Sequence, residues 1–140
     1  PIWEINKNLA ELKEKLESHD EILSSILSAQ DIFRASSASI GVIAIRASTE
    51  LLMKEACERK GSTWKPSARP TLESYIQWYN SKENIQARIR GYLDYIKNIG
   101  NRANHVFDID SKEFMVTLQM FCDVVEWYAE IFAINTTESE

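Results

Sequence analysis

The sequence predicts an all-α protein, an antiparallel bundle of about five or six helices. Three observations favour this fold class. Long stretches repeat apolar residues at helical spacing, and no stretch alternates apolar and polar residues as strands do. The chain also has only 4 glycines and 3 prolines in 140 residues, whereas a fold of many strands needs these residues in its turns.

Residues 1–18 predict an amphipathic helix for packing or oligomerisation. Its apolar residues alternate spacings of three and four, as in a coiled-coil seam: Ile2, Ile5, Leu9, Leu12 and Leu16. Such a helix needs a partner to bury this stripe, in its own domain or in a second chain. The seam continues to His19, which either sets the register or marks a break at "SHD"; the cap residues there favour the break.

Residues 19–134 are predicted to form the main bundle, followed by a polar tail at 135–140. A broad apolar face predicts a helix over 20–36. Residues 40–61 are apolar nearly all round at first, which predicts a central buried helix that ends at Gly61.

The remaining helices follow from caps and periodicity. Thr71 precedes a short helix in a capping-box layout with Glu at the third position, and apolar spacing predicts another helix over 83–99. Asp110 or Ser111 would cap the last helix.

Charge and composition exclude several functions. The net charge is −5, so any contact with nucleic acid would have to be local. Cys57 and Cys122 lie among apolar neighbours, which favours reduced core thiols in a cytoplasmic protein. No apolar run is long enough to span a membrane, and no zinc-binding or phosphate-loop motif occurs. We therefore expect no membrane partner, metal or cofactor.

Two polar constellations could carry chemistry. Asn101 and His105 are four residues apart and share a face if their helix continues; His105 could then act as a general base or acid. Spacing alone favours the alternative that Gly100 ends the helix with Asn101 in the left-handed conformation. Arg46 and Glu50 form the second pair, either a structural lock or part of an anion pocket, and spacing favours the lock.

The combination "AIRASTELL … LESYI … YLDYIKNIGNRANH … FCDVVEWY" resembles the HEPN superfamily of small helical domains, over roughly residues 20–133. The similar branch consists of bacterial domains with an Arg-x-x-x-Glu-Leu helix and a Gly-Asn-x-x-x-His helix end, often attached to restriction enzymes or nucleoside triphosphatases of phage defence. The N-terminal heptad helix is then an addition to the family's bundle.

The resemblance implies a homodimer and a site made of Arg46, Glu50, Asn101 and His105, with Arg102 and Lys97 as accessory phosphate-binding cations. Active members are metal-independent RNases with the order Arg-Asn-x-x-x-His. Here Gly100 stands in the arginine position, so the phosphate-stabilising charge would have to come from Arg102, Lys97 or Arg46. Arg46 is favoured because its helix should pack against the helix of His105.

Three functions remain open at this point. The leading expectation is a dimerisation, interaction or RNA-sensing module in prokaryotic defence or stress response. Such a module lacks the full catalytic constellation, and its expected partner besides RNA is a larger defence-system protein or domain. The second is an endoribonuclease that uses His105 and Arg46. The third is a purely structural bundle that docks a partner.

Overall fold

A computed structural model describes residues 37–133, together with Lys7, Ala10 and Glu11. The continuous part contains four α-helices, and a π-helical turn at Ala129–Ala133 extends the last of them. The helices are α1 (Ala38–Arg59), α2 (Leu72–Lys82), α3 (Ala87–Val106) and α4 (Ser111–Tyr128). The all-α fold class is therefore confirmed for residues 37–133, which include no strand.

Several expectations fall on residues that are not described. These are the helix over 20–36, the break at His19, the tail at 135–140 and most of the helix over 1–18. Within that last segment only Lys7, Ala10 and Glu11 are described, and all three are helical and exposed.

Local signals in the sequence explain how α1 begins and ends. The Ser37 hydroxyl accepts a hydrogen bond from the Ile40 N–H at 3.1 Å, so it caps the N-terminus. After the last turn Gly61 adopts a φ of 91°, and the Ser62 N–H donates to the Cys57 carbonyl. This is a Schellman ending, which needs a residue that tolerates positive φ. The predicted role of Gly61 is confirmed.

The caps of α2 and α4 are also those that the sequence indicates, with one correction. Thr71 caps α2, but the reciprocal partner in its capping box is Ser74 rather than the glutamate at position 73. Asp110 caps α4 and forms a capping box with Glu113. Both boxes satisfy backbone N–H groups that a helix start leaves without partners.

The bounds predicted for the helix over 83–99 are wrong at both ends. α3 begins at Ala87 and continues through Gly100 to Val106, so Gly100 does not end it and Asn101 is helical. Instead Phe107 adopts the left-handed conformation, with a φ of 58°, and its N–H donates to the Ala103 carbonyl. The physical reason is that Gly100 packs against α1, as described below, and this contact favours a continuous helix.

α1 is the central helix of the described bundle, because it packs against α2, α3 and α4. The main core includes fully buried side chains from all four helices, among them Leu52, Ile76, Leu93 and Phe121. A smaller cluster fills the end where α1 begins and α3 ends: Val42, Ile99, Ala103 and Ile109.

Both cysteines belong to the core, as the sequence predicts. Cys57 and Cys122 are free and buried. Burial disfavours the thiolate and raises the pKa of Cys57 to about 11 and that of Cys122 to about 12. These thiols are therefore protonated and unreactive near neutral pH.

Candidate functional site

Gly100 of α3 packs closely against Arg46 of α1. A methyl group at position 100 would lie 2.3 Å from Cδ of Arg46 and 2.8 Å from its Cβ and Cγ. Carbon atoms that are not bonded to each other do not approach this closely, so a side chain at position 100 would force Arg46 or the two helices to shift. The Arg46 side chain thus crosses the space that any side chain at position 100 would occupy.

Arg46 and Glu50 form the second half of the candidate site. They lie one turn apart on α1, with Nη1 of Arg46 4.0 Å from Oε1 of Glu50. The Arg46 side chain is 22% exposed and that of Glu50 is 37% exposed, so the pair is at the edge of the bundle and not buried within it. Nε of Arg46 is buried and makes no hydrogen bond within the described part of the chain. A buried donor without an acceptor is costly, and an incoming anion could satisfy it.

Asn101 and His105 lie on one exposed face of α3, one turn apart. At 100° per residue, this face is turned by about 100–140° from Gly100 around the helix axis. Arg46 therefore meets α3 on a different side from His105. Within one chain, Arg46 packs near the C-terminal end of α3 but does not lie on the face of α3 that carries His105.

The two accessory cations are each paired with carboxylates. Nζ of Lys97 lies 2.5 Å from Oε2 of Glu73, and this contact lowers the pKa of Glu73 below its usual range. Arg102 pairs with Asp108 at 3.2 Å and also with Glu113, contacts that raise the pKa of its guanidinium. Through these ion pairs Lys97 connects α3 to α2, and Arg102 connects α3 to the start of α4. The Arg102 guanidinium and the Lys97 ammonium therefore each have an anionic partner.

Sequence analysis missed two exposed apolar residues next to His105. Val106 is 62% exposed and Phe107 is 55% exposed. Phe107 also holds a left-handed backbone conformation that is rare for a bulky residue and is usually taken by glycine. We call His105, Val106 and Phe107 the α3 tip. The sequence gives one sign of this tip, which is that no glycine stands where α3 ends. That sign can be recognised only when the end of the helix is known from the structure.

A concave surface lies at the end of α3 opposite the α3 tip. A cleft of about 360 Å³ is lined by polar and charged residues together with Trp127, including Gln86, Arg88, Asp123, Glu126 and Glu130. Arg88 already pairs with Asp123 at 3.6 Å. None of the site residues predicted from the sequence lines this cleft.

Comparison with known proteins gives no relative for this chain. No protein family, curated protein or solved structure matches it. Within residues 37–133, no helix is both long and apolar enough to cross a membrane. The same residues include no group of three or more histidine, cysteine, aspartate or glutamate side chains arranged to hold a metal ion.

Proposed function

We propose that this chain is a HEPN-like interaction module that forms a homodimer through the α3 tip. In this proposal it acts as a dimerisation or RNA-sensing module in prokaryotic defence or stress response and lacks a full catalytic constellation. The observation that carries the proposal is the exposure of Val106 and Phe107 directly after His105. The family resemblance implies that this histidine lies near a two-fold axis, where a patch can meet its own copy.

The charges at the site favour a protein partner over a general RNA surface. Lys97 and Arg102 are paired with carboxylates, and the chain has a net charge of −5. A surface that binds RNA through its phosphates needs several cations that can exchange counterions for phosphate. Arg46, with its unsatisfied Nε, offers one local anion contact. RNA sensing would therefore depend on a single arginine and on the shape of a dimer.

Phe107 provides a sharp test, because its backbone conformation suits glycine better than phenylalanine. Phe107→Gly removes the exposed ring but relieves the left-handed strain, so the folded monomer should be as stable as the wild type or up to about 1 kcal/mol more stable. If the ring contributes to a dimer, the dissociation constant of the dimer should rise at least about tenfold, which corresponds to about 1.4 kcal/mol. Sedimentation equilibrium and urea unfolding of the same samples measure both effects.

Trp64→Ala is the matched control for loss of an exposed aromatic ring. Trp64 is 37% exposed and lies in the loop after α1, at the other end of the bundle, where its ring packs edge-on to Tyr75. We expect this variant to leave the dissociation constant of the dimer unchanged. A wild-type protein that stays monomeric at high concentration, or a dimer that tolerates Phe107→Gly, would refute the proposed interface.

One observation favours a second candidate function, a metal-independent endoribonuclease. The Arg46 side chain packs on Gly100, the residue that stands in the arginine position of the RNase motif in the family resemblance. His105 would take the proton from a ribose 2′-hydroxyl, whose oxygen attacks the phosphorus while the bond to the 5′-oxygen breaks. The Arg46 guanidinium would stabilise the phosphorane charge. The leaving 5′-oxygen takes a proton from water, so the products are a 2′,3′-cyclic phosphate end and a 5′-hydroxyl end.

Cleavage of RNA in the presence of a chelator tests this candidate. His105 is exposed, so His105→Ala should fold normally and lose cleavage by at least about a hundredfold. Arg46→Lys keeps the charge but not the planar geometry and should lose most activity as well. Intact RNA with clean wild-type protein, or cleavage that survives His105→Ala, would exclude this mechanism.

A further inference from the structure

The cleft between the start of α3 and the end of α4 has more carboxylates than cations. Its charged lining residues are three acids, Asp123, Glu126 and Glu130, and one base, Arg88. Arg88 pairs with Asp123 at 3.6 Å. The side chains of Glu126 and Glu130 are exposed and make no ion pair or hydrogen bond with any residue in the described part of the chain. Two carboxylates of the cleft therefore have no cationic partner.

The position of these carboxylates at the end of a helix is electrostatically unfavourable. The C-terminus of a helix carries the negative end of the helix dipole, where cations are stabilising. The last turn of α4 contains no basic residue, and Glu130 adds a negative charge in the π-helical turn that follows. Asp123, Glu126 and Glu130 also follow one another at spacings of three and four, which places like charges side by side. A cation bound in the cleft would remove this repulsion.

Trp127 adds an unsatisfied hydrogen-bond donor to the same cleft. It lines the cleft but is only 8% exposed, and its ring packs edge-on against Tyr79 of the main core. Nε1 of Trp127 makes no hydrogen bond with any residue in the described part of the chain, yet this atom is not fully enclosed. An indole N–H can only donate, and it usually has a partner when the ring is buried. The cleft thus offers one donor that needs an acceptor and two carboxylates that need a cation.

We propose that this cleft binds an arginine side chain of a partner polypeptide. A guanidinium has five N–H donors in a planar fork, which suits two carboxylates better than the single charge of an ammonium does. The side-chain carbonyl groups of Asn84 and Gln86, which also line the cleft, are further acceptors. A volume of about 360 Å³ is at the small end of the range for ligand sites and accommodates one long side chain with its peptide group.

The donor of Trp127 and the charge of the cleft favour an arginine within a chain over the free amino acid. A peptide carbonyl next to the arginine side chain can accept from Nε1 of Trp127. Free arginine would instead bring its own carboxylate into a cleft that already has three, and like charges in contact weaken binding. The cleft is at the end of α3 opposite the α3 tip, so this inference does not depend on the proposed dimer.

Titration of the full chain with N-acetyl-arginine-amide tests the proposal. The chain has four tryptophans, and NMR resolves their indole N–H signals; the signal of Trp127 is the one lost in Trp127→Phe. We expect this signal to shift with a dissociation constant of about 1 mM, which is typical of a ligand with about 15 heavy atoms. N-acetyl-citrulline-amide has the same shape without the charge, so it should bind at least about tenfold more weakly.

Variants of the two unpaired glutamates locate the binding site. Glu126→Gln/Glu130→Gln changes exposed positions, so it should fold normally, and it should weaken binding of the arginine amide at least about tenfold. Glu11→Gln/Glu58→Gln is the matched control, because it removes the same charge from exposed positions that do not line the cleft. It should change the dissociation constant by less than about twofold. Phe107→Gly should leave binding unchanged, which separates this proposal from the α3-tip dimer.

Three results would overturn the proposal. An unshifted Trp127 signal at about 20 mM arginine amide, about twentyfold above the expected dissociation constant, would show that the cleft does not bind this group. Equal binding of the arginine and citrulline amides would show that the carboxylates do not recognise a cation. Free arginine that binds as tightly as its amide would assign the cleft to the amino acid and not to a polypeptide.

Discussion

The two ends of α1 meet the rest of the bundle in different ways. Its C-terminal half contributes to the main core and to a hydrogen-bond network in which Glu55 Oε1 accepts from Tyr128 Oη at 2.8 Å and from Arg59 Nε at 3.1 Å. Its N-terminal half contributes Ile45 to the main core, but it also contributes Val42 to the much smaller cluster and contacts α3 at Gly100. The buried Arg46 Nε and the exposed α3 tip both lie at this second end.

This difference separates the part of the molecule that stabilises the fold from the part that is available for function. Side chains in the main core are fully enclosed and contribute through burial. At the other end, an exposed ring on a left-handed residue costs stability. The buried Nε of Arg46 adds the cost of an unsatisfied donor, which the Tyr79 hydroxyl of the main core shares. Such features persist when the surrounding structure holds them, and they are common at binding sites. Three pairs of variants test this comparison.

The largest contrast should be between two phenylalanines. Phe121 is fully buried in the main core, whereas Phe107 is 55% exposed. Phe121→Ala should lower the free energy of unfolding by about 3–5 kcal/mol, because it removes buried surface and leaves a cavity. Phe107→Ala should change it by less than about 0.5 kcal/mol at concentrations where the chain is monomeric. Urea unfolding followed by circular dichroism measures both; similar losses would mean that the two ends are equally packed.

The next contrast is between two glycines of α3. A methyl group at the exposed Gly91 meets nothing within 4 Å, whereas at Gly100 it meets the Arg46 side chain. Gly91→Ala should stabilise the protein by about 0.5–1 kcal/mol through helix propensity. Gly100→Ala should destabilise it by about 1–3 kcal/mol through overpacking.

Arg46→Ala separates the contact at Gly100 from a general intolerance of that position. It removes Cγ and Cδ of Arg46, so the cost of Gly100→Ala should be smaller in this background than in the wild type. Equal costs in both backgrounds would show that the two residues are not coupled. In that case Gly100 would not set the distance between α1 and α3.

The caps of the helices could be predicted from the sequence because each depends on residues within one turn. Thr71, Asp110 and Gly61 act through neighbouring backbone groups, and their roles follow from local chemistry. Gly100 shows the limit of this approach. A glycine followed by asparagine is a common helix ending, and only the contact with a residue on another helix shows that the helix continues here.

The candidate site could be predicted only in part, because contacts between different helices are not visible in sequence spacing. The packing of the Arg46 helix against the His105 helix was expected, and α1 does pack against α3. The partners of Lys97 and Arg102 lie on α2, on α4 and in the loop before α4, so sequence spacing on α3 gives no sign that these cations are already paired. Val106 and Phe107 were overlooked because apolar residues at a helix end usually pack inward.

The smallest contrast is between two buried tyrosines of the main core. Oη of Tyr128 donates to Glu55 and accepts from Nε of Arg59 at 2.9 Å. Tyr128→Phe should therefore cost about 1–2 kcal/mol, because a buried carboxylate loses a donor. The hydroxyl of Tyr79 is buried and makes no hydrogen bond with any residue in the described part of the chain.

Tyr79→Phe should accordingly be neutral or stabilising by up to about 1 kcal/mol, since it removes a buried hydroxyl that gains nothing from folding. The comparison uses the same chemical change at two sites of equal burial, so the difference in unfolding free energy reports the network alone. If both variants lose the same amount, the Glu55–Arg59–Tyr128 bonds add no stability beyond packing. The C-terminal end of α1 would then owe its stability to apolar burial, and the contrast between the two ends would lie in packing alone.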